Sequence, residues 1–90
     1  MDTGYVWDED KYARVQKEHD VGFDEVVAVF EDDNALYAPD PQGNPDRQMV
    51  VGKTRQGRML QAIFTYEDAP LVRIITAFDA SEEWKDEYVR

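Results

Sequence analysis

A chain of 90 residues is too short for two separate cores, and an apolar content of 42% that includes 11 aromatic residues is too rich for a disordered acidic tail. The absence of cysteine excludes a disulfide framework and a thiolate zinc site, and no run approaches the roughly 18 apolar residues of a membrane span. The net charge of −10 argues against a general polyanion binder, since nucleic-acid affinity comes largely from basic groups that displace counterions.

That charge is uneven. Residues 1–33 carry 11 acids and 3 bases, residues 34–76 carry 4 acids and 5 bases, and residues 77–90 carry 5 acids and 2 bases. The acid therefore lies in the flanks and the middle is mildly basic. The flanks read as solvated helix faces or as a docking surface for a basic partner. The opening Met1-Asp2-Thr3-Gly4-Tyr5 has neither the basic nor the apolar region of a secretory leader, so a cytoplasmic protein is expected.

Tyr5-Val6-Trp7 is a short β-prone run, and Asp8 is suited to cap a helix whose first turn holds Glu9 and Asp10. Tyr12, Val15 and His19 recur at helical spacing, and the helix is expected to stop near His19-Asp20. Gly22 opens a second helix in which Phe23, Val26, Val27 and Phe30 form a buried stripe. Glu31-Asp32-Asp33-Asn34 ends it; this acidic turn is better read as a helix stop than as a cation site.

The period then changes to two. Ala35–Ala38 reads as a strand ended by Pro39, and residues 40–45 are turn residues throughout. Three further strands are expected at Arg47–Thr54, Met59–Tyr66 and Leu71–Ala77, with short connections that make neighbours antiparallel. Ser81 caps a last helix bearing Trp84 and Tyr88. The order β-α-α-β-β-β-β-α predicts one α+β domain over 1–90: two N-terminal helices and one C-terminal helix on an antiparallel sheet of four to five strands, with the helices collected on one face.

P-loop, dinucleotide, zinc-protease and nucleophile-elbow motifs are absent, and one histidine without cysteine offers no transition-metal ligand set; no metal or cofactor is expected. His19 is the one side chain whose ordinary pKa lies near neutrality. Its position reads either as a hydrogen-bonded helix cap or as an acid–base group. Among the central cations, Arg47 and Lys53 share a strand face with Met49 and Val51. Arg73 shares one with Leu71 and Ile75, whereas Val72, Ile74 and Thr76 point the other way. An arginine in so apolar a strand must reach an acid or open onto a site.

Read together, these segments resemble the BrnT family of type II toxin–antitoxin ribonucleases. Tyr5-Val6-Trp7-Asp8 is similar to the family's F-x-W-D, and residues 17–26, Lys17-Glu18-His19 through Val26, to its K-H-G-V-S-F-E-E-A helix junction. Phe30-Glu31-Asp32 matches V-F-x-D, and Val51-Gly52-Lys53-Thr54 with Gly57-Arg58-Met59-Leu60 resembles I-G-R-T…G-R-L-L. Arg73-Ile74-Ile75-Thr76-Ala77 matches R-I-I-S-A.

The resemblance implies a compact relative of the RelE-type fold and metal-independent cleavage of RNA. Such cleavage needs a base, an acid and cations for the charge that builds on phosphate. His19, Arg58 and Arg73 fall on the matched polar positions and are the expected catalytic residues, Arg58 and Arg73 for phosphate stabilisation and His19 as base, as acid or only as a fixture of the helix junction. Lys53, where the family has an arginine, assists, and Arg47 and Arg55 are the further cations expected to bind substrate. The implied partner is a basic, DNA-binding antitoxin of the ribbon–helix–helix type. Any oligomer would form through it, with no direct DNA binding by this chain and no membrane association.

Where the family continues with a basic residue and an arginine-rich helix bearing a glutamate, this chain has Phe78-Asp79 and Glu82-Glu83-Trp84-Lys85-Asp86-Glu87. Three readings follow: an RNA-cleaving toxin, a relative that keeps fold and partner but has lost cleavage, or an unrelated small α+β binding domain. Convergence of Arg58, Arg73 and Lys53 on one open surface beside His19 would favour the first. Arginines locked to carboxylates would favour the second.

Overall fold

The computed structural model describes residues 4–90; Met1-Asp2-Thr3, the start of the segment read above for a leader, lie outside the described residues. The elements in order are β1 (Tyr5–Trp7), α1 (Glu9–His19), α2 (Phe23–Phe30), β2 (Leu36–Pro39), β3 (Gln48–Lys53), β4 (Met59–Thr65), β5 (Val72–Asp79) and α3 (Glu82–Tyr88). The helix starts follow from their caps. Asp8 accepts the Asp10 and Lys11 N–H groups at 3.0 and 3.3 Å, the Glu25 carboxylate accepts the Gly22 N–H at 2.9 Å, and Ser81 Oγ accepts the Trp84 N–H at 3.3 Å. α1 ends because Asp20 takes a left-handed conformation with φ of 52°, which returns its N–H to the Gln16 carbonyl.

The five strands form one sheet in the order β1-β5-β4-β3-β2. β2 through β5 are antiparallel neighbours, and β1 lies parallel to β5 through Tyr5↔Val72, Val6↔Arg73 and Trp7↔Ile74. The strand count and the α+β class are as expected, and the sheet is mixed.

One arrangement differs from expectation: the helices are not collected on one face. Val15, Val21, Val26 and Val29 of the α1–α2 layer pack on Val50, Leu60, Ala62, Phe64, Ile74 and Ala77. α3 instead lays Trp84 against Met49, Val51 and Ile63 on the opposite face. The reason lies in β3 and β4, where Met49, Val50 and Val51, and then Leu60 through Thr65, are all buried, so the sheet needs cover on both sides. Gln61 fixes the crossing, since its buried Oε1 accepts the Ser81 N–H at 2.8 Å just before α3.

A bulge sets the second difference. Ile63 pairs with Thr76 but Phe64 pairs with Ile74, which leaves Ile75 as an extra residue in β5. Alternation restarts there. Thr76 therefore does not share a face with Val72 and Ile74; Ala77 and Asp79 take over the side facing α1 and α2. β5 also runs two residues further than expected, to Asp79.

Candidate functional site

The densest polar cluster lies where α1 turns into α2, over the start of β4 and the end of β5. Its centre is Arg58, presented by the β3–β4 turn, in which the Thr54 N–H reaches the Arg58 carbonyl at 2.8 Å and the Arg58 N–H reaches Thr54 Oγ1 at 3.1 Å. The guanidinium points at the C-terminus of α1. There Nη2 donates to the His19 carbonyl at 2.9 Å and Nη1 to the Asp20 carbonyl at 2.7 Å, groups that a helix end otherwise leaves without partners. Nη1 also reaches Glu25 Oε2 at 3.4 Å, and Nε donates to Asp79 Oδ1 at 2.8 Å. Four of the five N–H directions an arginine owns are thus occupied. The Arg58 hydrogen bond holds the Asp79 carboxyl below its ordinary range, and Asp79 in turn raises the guanidinium pKa.

His19 sits beside this clamp without joining it through its ring. The imidazole is 38% exposed, lies 5.9 Å from the Phe78 ring, has the Glu18 carboxylate 3.9 Å from Nε2 and is close enough to act on the Asp79 carboxylate. The helix cap is Asp20, so the expectation that the His19 side chain caps α1 is corrected: its carbonyl does the structural work and its ring is available.

Arg73 is elsewhere. It is six positions from Asp79 along β5, about 20 Å at ordinary strand rise, in a molecule whose longest extent is 32 Å. Its Nε is bonded to Asp68 in the turn before β5, and both side chains are a little over one third exposed.

Lys53 and Arg55 form a third group. The Lys53 N–H donates to Asp32 Oδ2 at 2.9 Å, and its ammonium stands 5.5 Å from the Tyr88 ring centre. Arg55, at the turn tip, is largely exposed and reaches Glu31 only at 3.9 Å. Arg47 borders a small apolar recess with Ile63, Ile75 and Phe78 on the α3 side of the sheet. The five cations and the histidine do not converge. What sequence reasoning missed is the set of acids that receive the arginines, Asp79 and Glu25 for Arg58, Asp68 for Arg73 and Glu31 for Arg55, and the bond from the Lys53 backbone N–H to Asp32. In so acidic a chain no one carboxylate stood out. Among the described residues no group of three histidines or acids could hold a metal ion.

Asp32 also ties α3 down, accepting the Tyr88 hydroxyl at 2.6 Å and the Asn34 N–H at 2.9 Å. Burial alone would raise the Asp32 pKa, but these hydrogen bonds outweigh it and hold it below its ordinary value. The same bond pushes Tyr88 up to about 12 from 10.0. The phenol therefore contributes stability that is fully present below pH 10 and lost as pH rises through 12, while Asp32 contributes stability lost as pH falls through its lowered pKa. Tyr88→Phe is expected to lower stability at neutral pH and to flatten the loss between pH 10 and 12. Urea midpoints of both proteins at neutral pH and at about pH 11 measure it. An unchanged difference between the two pH values would show that the bond carries no linkage.

Comparisons place this geometry in context. No helix among the described residues is long and apolar enough to cross a membrane. No curated protein matches the chain in sequence. The crystal structure of the Brucella abortus ribonuclease toxin BrnT superposes with a TM-score of 0.72 at 20% identity, covering 90% of this chain and 100% of that one, a likeness of fold. The family model for the BrnT ribonuclease toxin of type II toxin–antitoxin systems matches residues 7–83, a span that runs from Trp7 through the helix junction and the Arg58 turn to the start of α3. On that match the chain belongs to the BrnT ribonuclease toxin family of type II toxin–antitoxin systems.

Proposed function

We propose that the chain acts, as one 90-residue unit, as the antitoxin-binding member of a toxin–antitoxin pair that has kept the family fold and given up efficient cleavage of free RNA. The observation that carries this reading is that both arginines on the matched phosphate positions are bound to carboxylates of the same chain, at opposite ends of β5. A scissile phosphate needs unoccupied donors gathered around one point. Arg58 spends four N–H groups on α1, Glu25 and Asp79, and Arg73 is too far away to share a phosphate with it. The acidic flanks that make the net charge −10 weaken the attraction of RNA to the mildly basic middle of the chain. The same charge suits a basic antitoxin of the ribbon–helix–helix type, whose docking would also account for any oligomer.

A second reading, metal-independent RNA cleavage, draws on the His19 ring and on the Arg73–Asp68 pair, each a little over one third exposed. Such a pair is worth about 1 kcal/mol or less and would open for a phosphate.

One assay separates the two: purified chain with mixed single-stranded RNA at low salt, EDTA present, and Arg73→Ala as control. No cleavage by folded protein is the expected result. Cleavage that survives EDTA and vanishes in Arg73→Ala would overturn the first reading and put Arg73 in the site. Arg73→Ala is expected to change stability by less than about 1 kcal/mol, so loss of activity would not reflect unfolding.

A further inference from the structure

α2 carries two stripes. Val26 and Val29 are buried against the sheet. Asp24, Val27, Ala28 and Glu31 also recur at i, i+3, i+4 and i+7, and all four line an open groove of about 640 Å³ between α2 and the β3–β4 turn. Phe23, Glu25, Thr54, Arg55 and Gln56 complete its walls, Glu25 standing beside Asp24 at the start of the helix and already turned to Arg58. The outward face of a surface helix is ordinarily polar along its length. Here its middle is apolar and acid stands only at the two ends.

Asp24 and Glu31 are seven residues apart, about 10 Å along the helix axis. The Asp24 carboxylate has no ion-pair partner among the described residues, and Glu31 meets only the exposed Arg55 at 3.9 Å. RNA does not suit such a rim, which repels phosphate. A surface with this order of acid, apolar, apolar, acid is complementary to a helix bearing the order base, apolar, apolar, base at the same spacing.

We propose that this groove seats an amphipathic helix of the antitoxin, with Lys or Arg at i and i+7 on Asp24 and Glu31 and apolar side chains at i+3 and i+4 over Val27 and Ala28. The proposal rests on the antitoxin partnership above and adds where and by what chemistry it forms. The groove lies on the outer side of α2, away from the sheet, so occupation requires no opening of the core.

The test has two arms, run on the full chain, on Asp24→Asn/Glu31→Gln and on Val27→Asp, with the folding of each variant checked from its amide spectrum. In the first arm, a synthetic helical peptide with Lys at i and i+7 and Leu at i+3 and i+4 is titrated into isotope-labelled protein, beside a counterpart with Glu for Lys. The Lys peptide is expected to shift the amides of Val27, Ala28, Thr54 and Gln56. The Glu peptide is expected to leave them in place, and the double variant to bind at least about tenfold more weakly. Shifts spread evenly over the acids of α1 and α3, or equal binding by the double variant, overturn the proposal.

In the second arm the chain is co-expressed with the basic antitoxin of its own operon. Co-purification with the natural chain and its loss with Val27→Asp supports the assignment. Equal co-purification of both leaves the partnership standing and overturns the groove as its seat. No co-purification with the natural chain overturns the partnership itself and, with it, the antitoxin as occupant.

Discussion

Replacing Arg58 by methionine is expected to destabilise the domain by about 3 kcal/mol, an effect that ordinarily follows from losing one partner of a hydrogen-bonded, partly buried charge cluster. The side chain is 28% exposed and makes bonds to two helix-end carbonyls and two carboxylates. Its removal leaves the His19 and Asp20 carbonyls and the Glu25 carboxylate facing one another with no cation between them. For a domain of this size the loss corresponds to a fall in Tm on the order of 10–20 °C. Arg58→Lys is expected to recover less than half, because one ammonium cannot reach four diverging acceptors at once. Thermal melts followed by circular dichroism measure both. An Arg58→Met protein that melts within a few degrees of the natural chain would mean that the guanidinium contributes no net stability, and the argument that it is unavailable to a phosphate would fall with it.

Much of the fold was legible from residue spacing. The stop of α1 near His19-Asp20, the Gly22 start of α2 and the short turns around Gly57 and Pro70 are local signals, and local chemistry decides them. Of the expected Phe23/Val26/Val27/Phe30 stripe, Val27 turns to the outer groove and Val29 is buried instead. The family was legible too, because motif order along the chain survives divergence. The site was not. The expected antiparallel pairing of β4 with β5 already separates Arg58, before β4, from Arg73, near the start of β5, but nothing in one dimension says which acid each arginine reaches. The bulge at Ile75 was invisible for the same reason, since strict alternation is the only rule a sequence offers a strand. That single extra residue turns Asp79 toward α1 and so creates the partner that ties up Arg58. The position of α3 was misjudged because the helices were expected on one face of the sheet, whereas the consecutive buried residues Met49, Val50 and Val51 demand cover on two.

The two cation clusters also differ in kind, which decides how each would respond to a ligand. Arg73 and Asp68 meet near solvent, where exchanging a carboxylate for a phosphate changes little. Arg58 closes a helix end, so the same exchange there would release α1 from the sheet. In this chain Arg58 therefore supports the fold whether or not it also meets a phosphate. The presence of G-R-M-L in this chain is evidence about architecture before it is evidence about RNA.

The largest loss is expected away from this corner, at Phe64→Ala, with about 3–5 kcal/mol of destabilisation. Phe64 is fully buried, and its ring meets Phe30 at 5.0 Å, Tyr66 at 5.3 Å and Tyr37 at 6.1 Å, each edge to face. Phe30 in turn packs on Tyr5 at 5.2 Å, so one ring couples the end of α2, strand β1, strand β2 through Tyr37 and the chain just after β4 through Tyr66. A domain of this length holds roughly 5–13 kcal/mol in all, so alanine here would remove a large share of it. Phe64→Leu keeps most of the volume and is expected to cost less than about 1.5 kcal/mol. Urea unfolding should show the alanine midpoint shifted far below that of the leucine protein, with similar slopes. Tyr37 and Tyr66 supply the opposing case. Each is about half exposed, at 52% and 51%, and either ring is able to swing inward over a smaller residue. A cost near 1 kcal/mol for alanine would mean that they do so and that the aromatic cluster is a pliable surface feature. A cost near 4 kcal/mol would mean that the sheet holds them back, and that Phe64 alone joins the two layers at this end.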